Sequence, residues 1–131
     1  MENNKTERFL FELVSPEKLV FSERVTSVVL PAASGYLTVM ARHAPLMANI
    51  VPGSLRVFSS SGEKLFAVLG GVADITFEGC SLLVENVIAA DHLSLDELER
   101  RILQVRAMID SSSNDEKKCE VKDLFHQLMN T

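Results

Sequence analysis

The side chains that most often carry catalysis or bind metals are few and scattered in this chain. The histidines are His43, His92 and His126, and none has a second histidine or a cysteine at the spacing of a metal site. Cys80 and Cys119 lie far apart and are interpreted as free thiols. The sequence holds no nucleophile elbow, phosphate-binding loop or dinucleotide fingerprint. We therefore expect no catalytic residue, no metal site and no cofactor.

One short segment interrupts the strand pattern around a proline. Arg42, His43, Ala44, Pro45 and Leu46 combine a charge, an imidazole and an exposed-type apolar residue around a proline, and we call these five residues the corner. Pro45 fixes its own φ and favours extended geometry at Ala44, which makes the segment rigid. His43 either faces a partner or hydrogen-bonds within the corner, and the sequence leaves both roles open.

A basic set, Arg100, Arg101 and Arg106, lies in the C-terminal part of the chain. Such residues usually form a solvated helix face with acidic neighbours one turn away. The functional alternative is contact with an acidic surface of a partner protein.

The elements that position these residues are predicted from apolar periodicity. Short alternating or continuous apolar runs, separated by Gly, Pro and Ser, indicate strands at residues 9–14, 19–21, 25–30, 37–40, 54–58, 65–69, 72–77 and 82–88. Pro31 is expected to end the third run, and residues 65–69 to form a strand buried on both faces. Many short strands with tight corners favour a β-sandwich or a flattened barrel.

The pattern changes after residue 90. Ser94 and Glu97 have the spacing of a helix capping box, and an apolar stripe with helical spacing follows at Leu95, Leu98, Ile102, Val105 and Ile109. A polar break at 111–114 and a second apolar face at Val121, Leu124, Phe125, Leu128 and Met129 indicate a second helix. We predict a mainly β fold with a helical appendage: an N-terminal β-sandwich at 1–90 and a C-terminal antiparallel two-helix hairpin at 91–131.

Composition narrows the class of protein. The 131 residues are 47% hydrophobic and carry a net charge of −5, which disfavours nucleic-acid binding. No apolar stretch is long enough to span a bilayer, and the polar N-terminus lacks a signal-peptide core. We expect a chain that folds on the cytoplasmic side without inserting into the membrane.

Several short motifs, in order and at matching spacing, resemble the epsilon subunit of the F-type ATP synthase. They are Phe11-Glu12-Leu13-Val14-Ser15-Pro16, the Gly35 turn, His43-Ala44-Pro45-Leu46, Pro52-Gly53, Gly70-Gly71 and Leu95-Asp96-Glu97-Leu98. The resemblance implies a non-catalytic subunit of the central stalk, or rotor, at the cytoplasmic face of the bacterial inner membrane. It implies a sandwich that binds the gamma subunit and the c-subunit ring, and C-terminal helices that reach the catalytic alpha and beta subunits and restrain ATP hydrolysis.

The resemblance also carries individual residues over. The family's rotor-facing loop corresponds to Gly35 and to His43 through Leu46. Tyr36 stands where an acidic residue is common, while Thr38, Ala41 and Arg42 replace glycines and a proline, so that Arg42 adds a charge towards a partner. The implied partner-binding residues are Gly35, Tyr36 and the corner, and the basic set belongs to the regulatory helix.

A further departure concerns nucleotides. Family members that bind ATP on the helical domain tend to read Ile/Leu-Asp-x-x-Arg-Ala, whereas Glu99 and Arg100 occupy the last two places here. An acidic residue where phosphates need a cation predicts weak or no ATP binding. Two other functions stay open: a nucleotide-sensing binding module, and a free-standing adaptor whose β-sandwich and hairpin dock on an unrelated partner.

Overall fold

The computed structural model describes residues 7–111 and 123–127. The strands are β1 (Phe9–Val14), β2 (Leu19–Val25), β3 (Ser27–Ala32), β4 (Gly35–Met40), β5 (Leu46–Ile50), β6 (Gly53–Ser59), β7 (Gly62–Val68), β8 (Gly71–Ile75), β9 (Gly79–Val84) and β10 (Val87–Ala89). Helix α1 (Leu95–Ser111) follows, and residues 123–127 are also helical. The mainly β fold with a C-terminal helical part is confirmed. The polar turn expected after α1, Cys119, Val121, Leu128 and Met129 lie outside the described residues.

The strands form two layers that are joined at one point along their edges. One layer has the order β4-β3-β6-β7-β10 and the other β5-β8-β9-β1-β2, and a single pairing of Ala32 with Ile50 joins them. All neighbours are antiparallel except β1 and β9, which run parallel. β4 pairs with one edge of β3 along its whole length, so β6 and then β5 share the other edge.

An aliphatic and aromatic core fills the space between the layers. Phe11 and Leu13 of one layer and Leu30 and Leu55 of the other are fully buried in one cluster. Cys80 belongs to the same cluster as a free thiol, which confirms its interpretation as a small buried residue. Burial of this apolar area is the main stabilising term of the sandwich.

Helix α1 covers the outer face of β6 and β7. Leu65 and Ala67 of β7 point to the helix, whereas Phe66 and Val68 point into the sandwich core. This confirms the prediction of a strand buried on both faces. The helix contributes the predicted stripe to the second cluster, together with Phe125 of the helical segment 123–127; its buried members are Leu98, Ile102 and Val105.

The start of α1 is fixed by local hydrogen bonds. The Glu97 N–H donates to the Ser94 hydroxyl at 3.2 Å, which is the expected N-cap. The Glu97 carboxylate turns towards two arginines, so the reciprocal half of the predicted capping box is replaced by ion pairs. The Leu65 N–H donates to the Asp91 carboxylate at 2.8 Å, which ties the entry of the helix to the edge of β7.

Several strand predictions were wrong in their bounds, and two of them have a clear physical reason. Pro31 lies inside β3, where it pairs with Tyr36 and its carbonyl accepts from the Val51 N–H at 2.9 Å. A proline fits there because β6 has already left that edge of β3, so no partner strand needs its missing N–H. The run 82–88 is two strands, since the polar pair Glu85-Asn86 marks the crossing from β9 in one layer to β10 in the other.

Candidate functional site: the two ends of strand β4

The predicted partner-binding residues lie at opposite ends of β4. Gly35 begins the strand in the turn from β3, and Met40 at the other end pairs with Ser27. A six-residue strand is about 20 Å long. The structure therefore separates Gly35 and Tyr36 from the corner, and each end is described in turn.

The corner contains the only non-glycine residue with positive φ in the described part of the chain. Arg42 has a φ of 65°, a left-handed conformation that favours glycine. Its guanidinium pairs with the Glu7 carboxylate at 3.0 Å. The turn geometry of a glycine is thus kept at this position, although an arginine occupies it.

The remaining corner residues present a rigid, apolar surface. The His43 Nδ1–H donates to the Ala44 carbonyl at 2.7 Å, so this imidazole does hydrogen-bond within its own corner. Ala44 and Pro45 are exposed. Leu46 and the adjacent Met47 at the start of β5 are 43% and 67% exposed. Two large apolar side chains left in water beside a proline corner are typical of a protein-binding surface.

The other end of β4 is exposed but also contacts helix α1, since Tyr36 is 55% exposed and its hydroxyl reaches Glu99. The Tyr36 hydroxyl donates to Glu99 Oε2 at 2.8 Å, and the Ser54 hydroxyl donates to the same oxygen at 2.5 Å. The two hydroxyl oxygens are 3.2 Å apart. We call Tyr36, Ser54 and Glu99 the helix-docking triad, because they join β4, β6 and α1.

Burial and charge both act on the tyrosine of this triad. Partial burial raises the pKa of Tyr36, and the Glu99 carboxylate raises it further because a phenolate beside it is repelled. The Ser54 hydroxyl opposes this effect by hydrogen bonding. The neutral phenol is therefore favoured, and it remains a donor to Glu99.

The basic set on α1 is only partly engaged within the helix. Arg100 and Arg101 both donate to the Glu97 carboxylate, the latter at 2.9 Å, and this contact lowers the pKa of Glu97. Arg106 is exposed on the same helix. The set therefore combines the expected acidic pairing with one guanidinium that faces solvent.

Sequence reasoning missed two members of the triad. Ser54 was taken only as part of an alternating strand, and Glu99 only as a departure from a nucleotide motif. The one available signal was a polar residue beside Pro52-Gly53, on the face of β6 opposite to Leu55. Hydrogen bonds between residues 45 positions apart, such as Ser54 and Glu99, leave no periodic trace in a sequence.

Other kinds of site were searched for in the same residues. Within 7–111 and 123–127, no three His, Cys, Asp or Glu side chains come together in a group that could hold a metal ion. No helix in these ranges is long and apolar enough to cross a membrane.

Two solved structures contain a chain with the same fold. A chain of the Euglena gracilis mitochondrial ATP synthase, in a structure of OSCP, F1 and c-ring, superposes with a TM-score of 0.64 at 16% identity, covering 89% of this chain and 74% of that one. A chain of the Tetrahymena thermophila mitochondrial ATP synthase central stalk and c-ring superposes with a TM-score of 0.56 at 14% identity, covering 95% of this chain and 96% of that one. Both superpositions show that this fold occurs in chains of ATP synthase assemblies.

Sequence relatives give the particular family. Residues 8–90 match the family model of the ATP synthase Delta/Epsilon chain, beta-sandwich domain. The ATP synthase epsilon chain of Bartonella quintana is 65% identical over 130 residues, covering 99% of this chain and 94% of the relative. That of Rhizobium rhizogenes is 46% identical over 123 residues, covering 93% and 91%. The chain belongs to the ATP synthase epsilon chain family, which confirms the resemblance found in the sequence.

Proposed function

We propose that this chain is a non-catalytic rotor subunit: it joins the gamma subunit to the c-subunit ring and transmits rotation between proton flow and ATP synthesis. The observation that carries the proposal is the rigid, exposed apolar corner at one end of the sandwich, in a chain of the epsilon family. The two solved chains with this fold come from assemblies that contain a c-ring, and one of these assemblies is a central stalk with its c-ring, which supports these partners.

The corner is proposed as the contact with the rotor. Burying Leu46 and Met47 against gamma or the ring removes apolar area from water, and each side chain contributes roughly 1–2 kcal/mol when it is fully covered. The internal hydrogen bond of His43 and the ring of Pro45 hold this surface in one conformation, so little entropy is lost on binding. Gly35 and Tyr36 are proposed as a separate contact surface, since they lie at the other end of β4.

A pull-down with purified gamma subunit tests this assignment. The intact chain is compared with a variant that carries His43→Glu and Leu46→Asp, and the expected result is binding by the former and at least tenfold weaker binding by the latter. The matched control is Ser60→Glu with Ser61→Asp, which adds the same charges to the exposed turn between β6 and β7. Failure of the intact chain to bind gamma would favour the free-standing adaptor.

The arginines of α1 are proposed as the regulatory contact with the alpha and beta subunits. Their charge suits an acidic surface, and Arg106 already faces solvent. In the assembled enzyme, replacing Arg100, Arg101 and Arg106 by Gln should raise ATP hydrolysis severalfold. The same three positions changed to Lys keep the charge and should leave hydrolysis restrained, whereas equal activity of both variants with the parent would contradict the role.

The proposed location is the cytoplasmic face of the bacterial inner membrane, as a peripheral part of the complex. The chain should fractionate with membranes only when the c-subunit ring and gamma are present. Retention on membranes that lack both partners would contradict attachment through the rotor.

We infer further that ATP is not a ligand of the helical part. The Glu99 carboxylate adds negative charge where family members that bind ATP tend to have an arginine. This carboxylate already accepts hydrogen bonds from Tyr36 and Ser54. Isothermal titration should show no binding of ATP at micromolar concentrations. Micromolar affinity would instead favour the nucleotide-sensing module.

A further inference from the structure

We infer that Glu99 is the positioning residue of α1: its carboxylate, held by the hydroxyls of Tyr36 and Ser54, sets the one register in which the helix docks on the sandwich. The inference rests on the geometry of the helix-docking triad alone and is independent of the proposed partners.

The apolar contacts of α1 do not define a register by themselves. The buried stripe of Leu98, Ile102 and Val105 packs on Leu65 and Ala67, and such contacts are non-directional. The hydrogen bond from Leu65 to Asp91 fixes where the helix begins, but a helix with a narrow stripe could still rotate on this surface at little loss of buried area. Hydrogen bonds have preferred lengths and angles, so they select one position from these alternatives.

The Ser54 hydroxyl makes this selection costly to violate. Ser54 is 1% exposed and is the one buried polar side chain in the described part of the chain. If Glu99 moves away, the buried Ser54 hydroxyl loses its charged acceptor. A buried hydroxyl without this acceptor costs more free energy than a hydroxyl that is hydrogen-bonded to water.

The surface around the triad is shaped to admit these groups. Gly53 precedes Ser54, and a Cβ on Gly53 would lie 3.5 Å from the Tyr36 hydroxyl oxygen and 2.4 Å from Pro31 Cβ. Ala67 of β7 pairs with Ser54 of β6 and is fully buried under the helix. The residue before Ser54 and the residue paired with it are therefore both small.

The charged neighbours of Glu99 do not compete for its carboxylate. Arg100 and Arg101 are directed to Glu97, on the adjacent turn of the same helix. The hydroxyls of Tyr36 and Ser54 hold the Glu99 carboxylate, and both come from a different layer of the molecule than the helix.

The test measures docking of α1 in the full chain by hydrogen exchange of its central amides. Glu99→Ala should speed their exchange roughly tenfold or more, and Tyr36→Phe about fivefold, as expected for loss of hydrogen bonds to a charged group. Glu99→Gln, whose amide oxygen still accepts, should recover part of the protection. The matched control, Asp96→Ala, removes an exposed carboxylate from the same end of the helix and should change exchange less than twofold.

A spectroscopic readout separates docking from general stability. The chain has one tyrosine and no tryptophan, so tyrosine emission reports on Tyr36 alone. Loss of the carboxylate acceptor in Glu99→Ala should change this emission, and Asp96→Ala should not. The pair Glu99→Ala with Tyr36→Phe should exchange no faster than Glu99→Ala, because the phenol has then already lost its acceptor.

Two results would overturn the inference. One is unchanged amide exchange in Glu99→Ala, which would mean that the apolar stripe alone fixes the helix. The other is equal effects of Glu99→Ala and Asp96→Ala, which would reduce the role of Glu99 to its charge at the helix N-terminus. If Glu99→Ala fails to fold, Tyr36→Phe tests the same inference, because it preserves the aromatic ring and removes only the hydroxyl that donates to Glu99.

Discussion

Gly53 packs directly against Pro31, with so little space that a Cβ on Gly53 would lie 2.4 Å from the proline Cβ. The glycine of the Pro52-Gly53 motif is therefore needed for its missing side chain. β6 stays in contact with β3 at this point. The Tyr36 hydroxyl lies within hydrogen-bond distance of the Ser54 hydroxyl. A sequence motif that looked like a simple turn is a close approach between two strands.

We predict that Gly53→Ala destabilises the fold by about 1–3 kcal/mol, since rigid Pro31 cannot move aside without displacing β3. Chemical denaturation measures the change in the free energy of unfolding. The double variant Gly53→Ala with Pro31→Gly adds the alanine Cβ but removes the proline Cβ that it would meet, so it should lose less stability than the sum of the single variants. Additive effects would show that the two residues do not press on each other.

Arg42 provides a prediction of increased stability. Its φ of 65° is unfavourable for a residue with a side chain, so Arg42→Gly should be more stable than Arg42→Ala by about 1 kcal/mol. Both variants lose the exposed ion pair with Glu7, so this loss does not contribute to the difference between them. Thermal unfolding of both variants measures the difference. Equal stability of the two would contradict a strained corner.

The single tyrosine allows its ionisation to be followed directly. Tyr36 should titrate above the ordinary tyrosine pKa of about 10 when its near-ultraviolet absorbance is measured against pH. Because the folded-state pKa is raised, the stabilising contribution is complete below pH 10 and is lost as the pH rises through the folded value. Glu99→Ala should lower the Tyr36 pKa, while Asp96→Ala should leave it unchanged. A normal pKa in the parent would argue against the docked tyrosine.

Cys80 should be almost unreactive in the folded protein. Burial, with a smaller effect from the charge of Asp74, raises the pKa of the thiol to about 12. At pH 8 the thiolate fraction is then roughly a thousandfold lower than that of an ordinary thiol. In a Cys119→Ser variant, thiol labelling should be slow until denaturant is added. Labelling of the folded protein at the rate of a small free thiol would contradict this burial.

The sequence predicted most of the strands for a definite physical reason. Alternating residues face opposite sides of a strand, so the positions of Phe11 and Leu13 predict a buried face without knowledge of the partner strand. The apolar stripe on α1 and the positive φ at Gly35 likewise follow from residue type and local spacing. Gly71, interpreted as a bulge or a close contact, is a close contact, since a Cβ there would lie 2.1 Å from the Leu83 carbonyl oxygen.

Strand bounds failed where the chain crosses between layers. The run 82–88 has continuous apolar character, and only the pairing of β9 with β8 and of β10 with β7 divides it. Pro31 was misjudged because its tolerance depends on which edge of β3 is unpaired. Both errors concern the neighbours of a residue and not its own properties.

By itself the sequence determined the class of fold, the family, the apolar faces and the rigid corner, because these follow from residue type and short-range spacing. Only the tertiary structure decided that Gly35 and Tyr36 lie a strand length from the corner, and that Tyr36 and Ser54 meet Glu99. A hydrogen bond across 63 residues, such as that from Tyr36 to Glu99, depends on how the helix packs on one layer of the sandwich. Periodicity reports which way a side chain points, but packing decides what it meets.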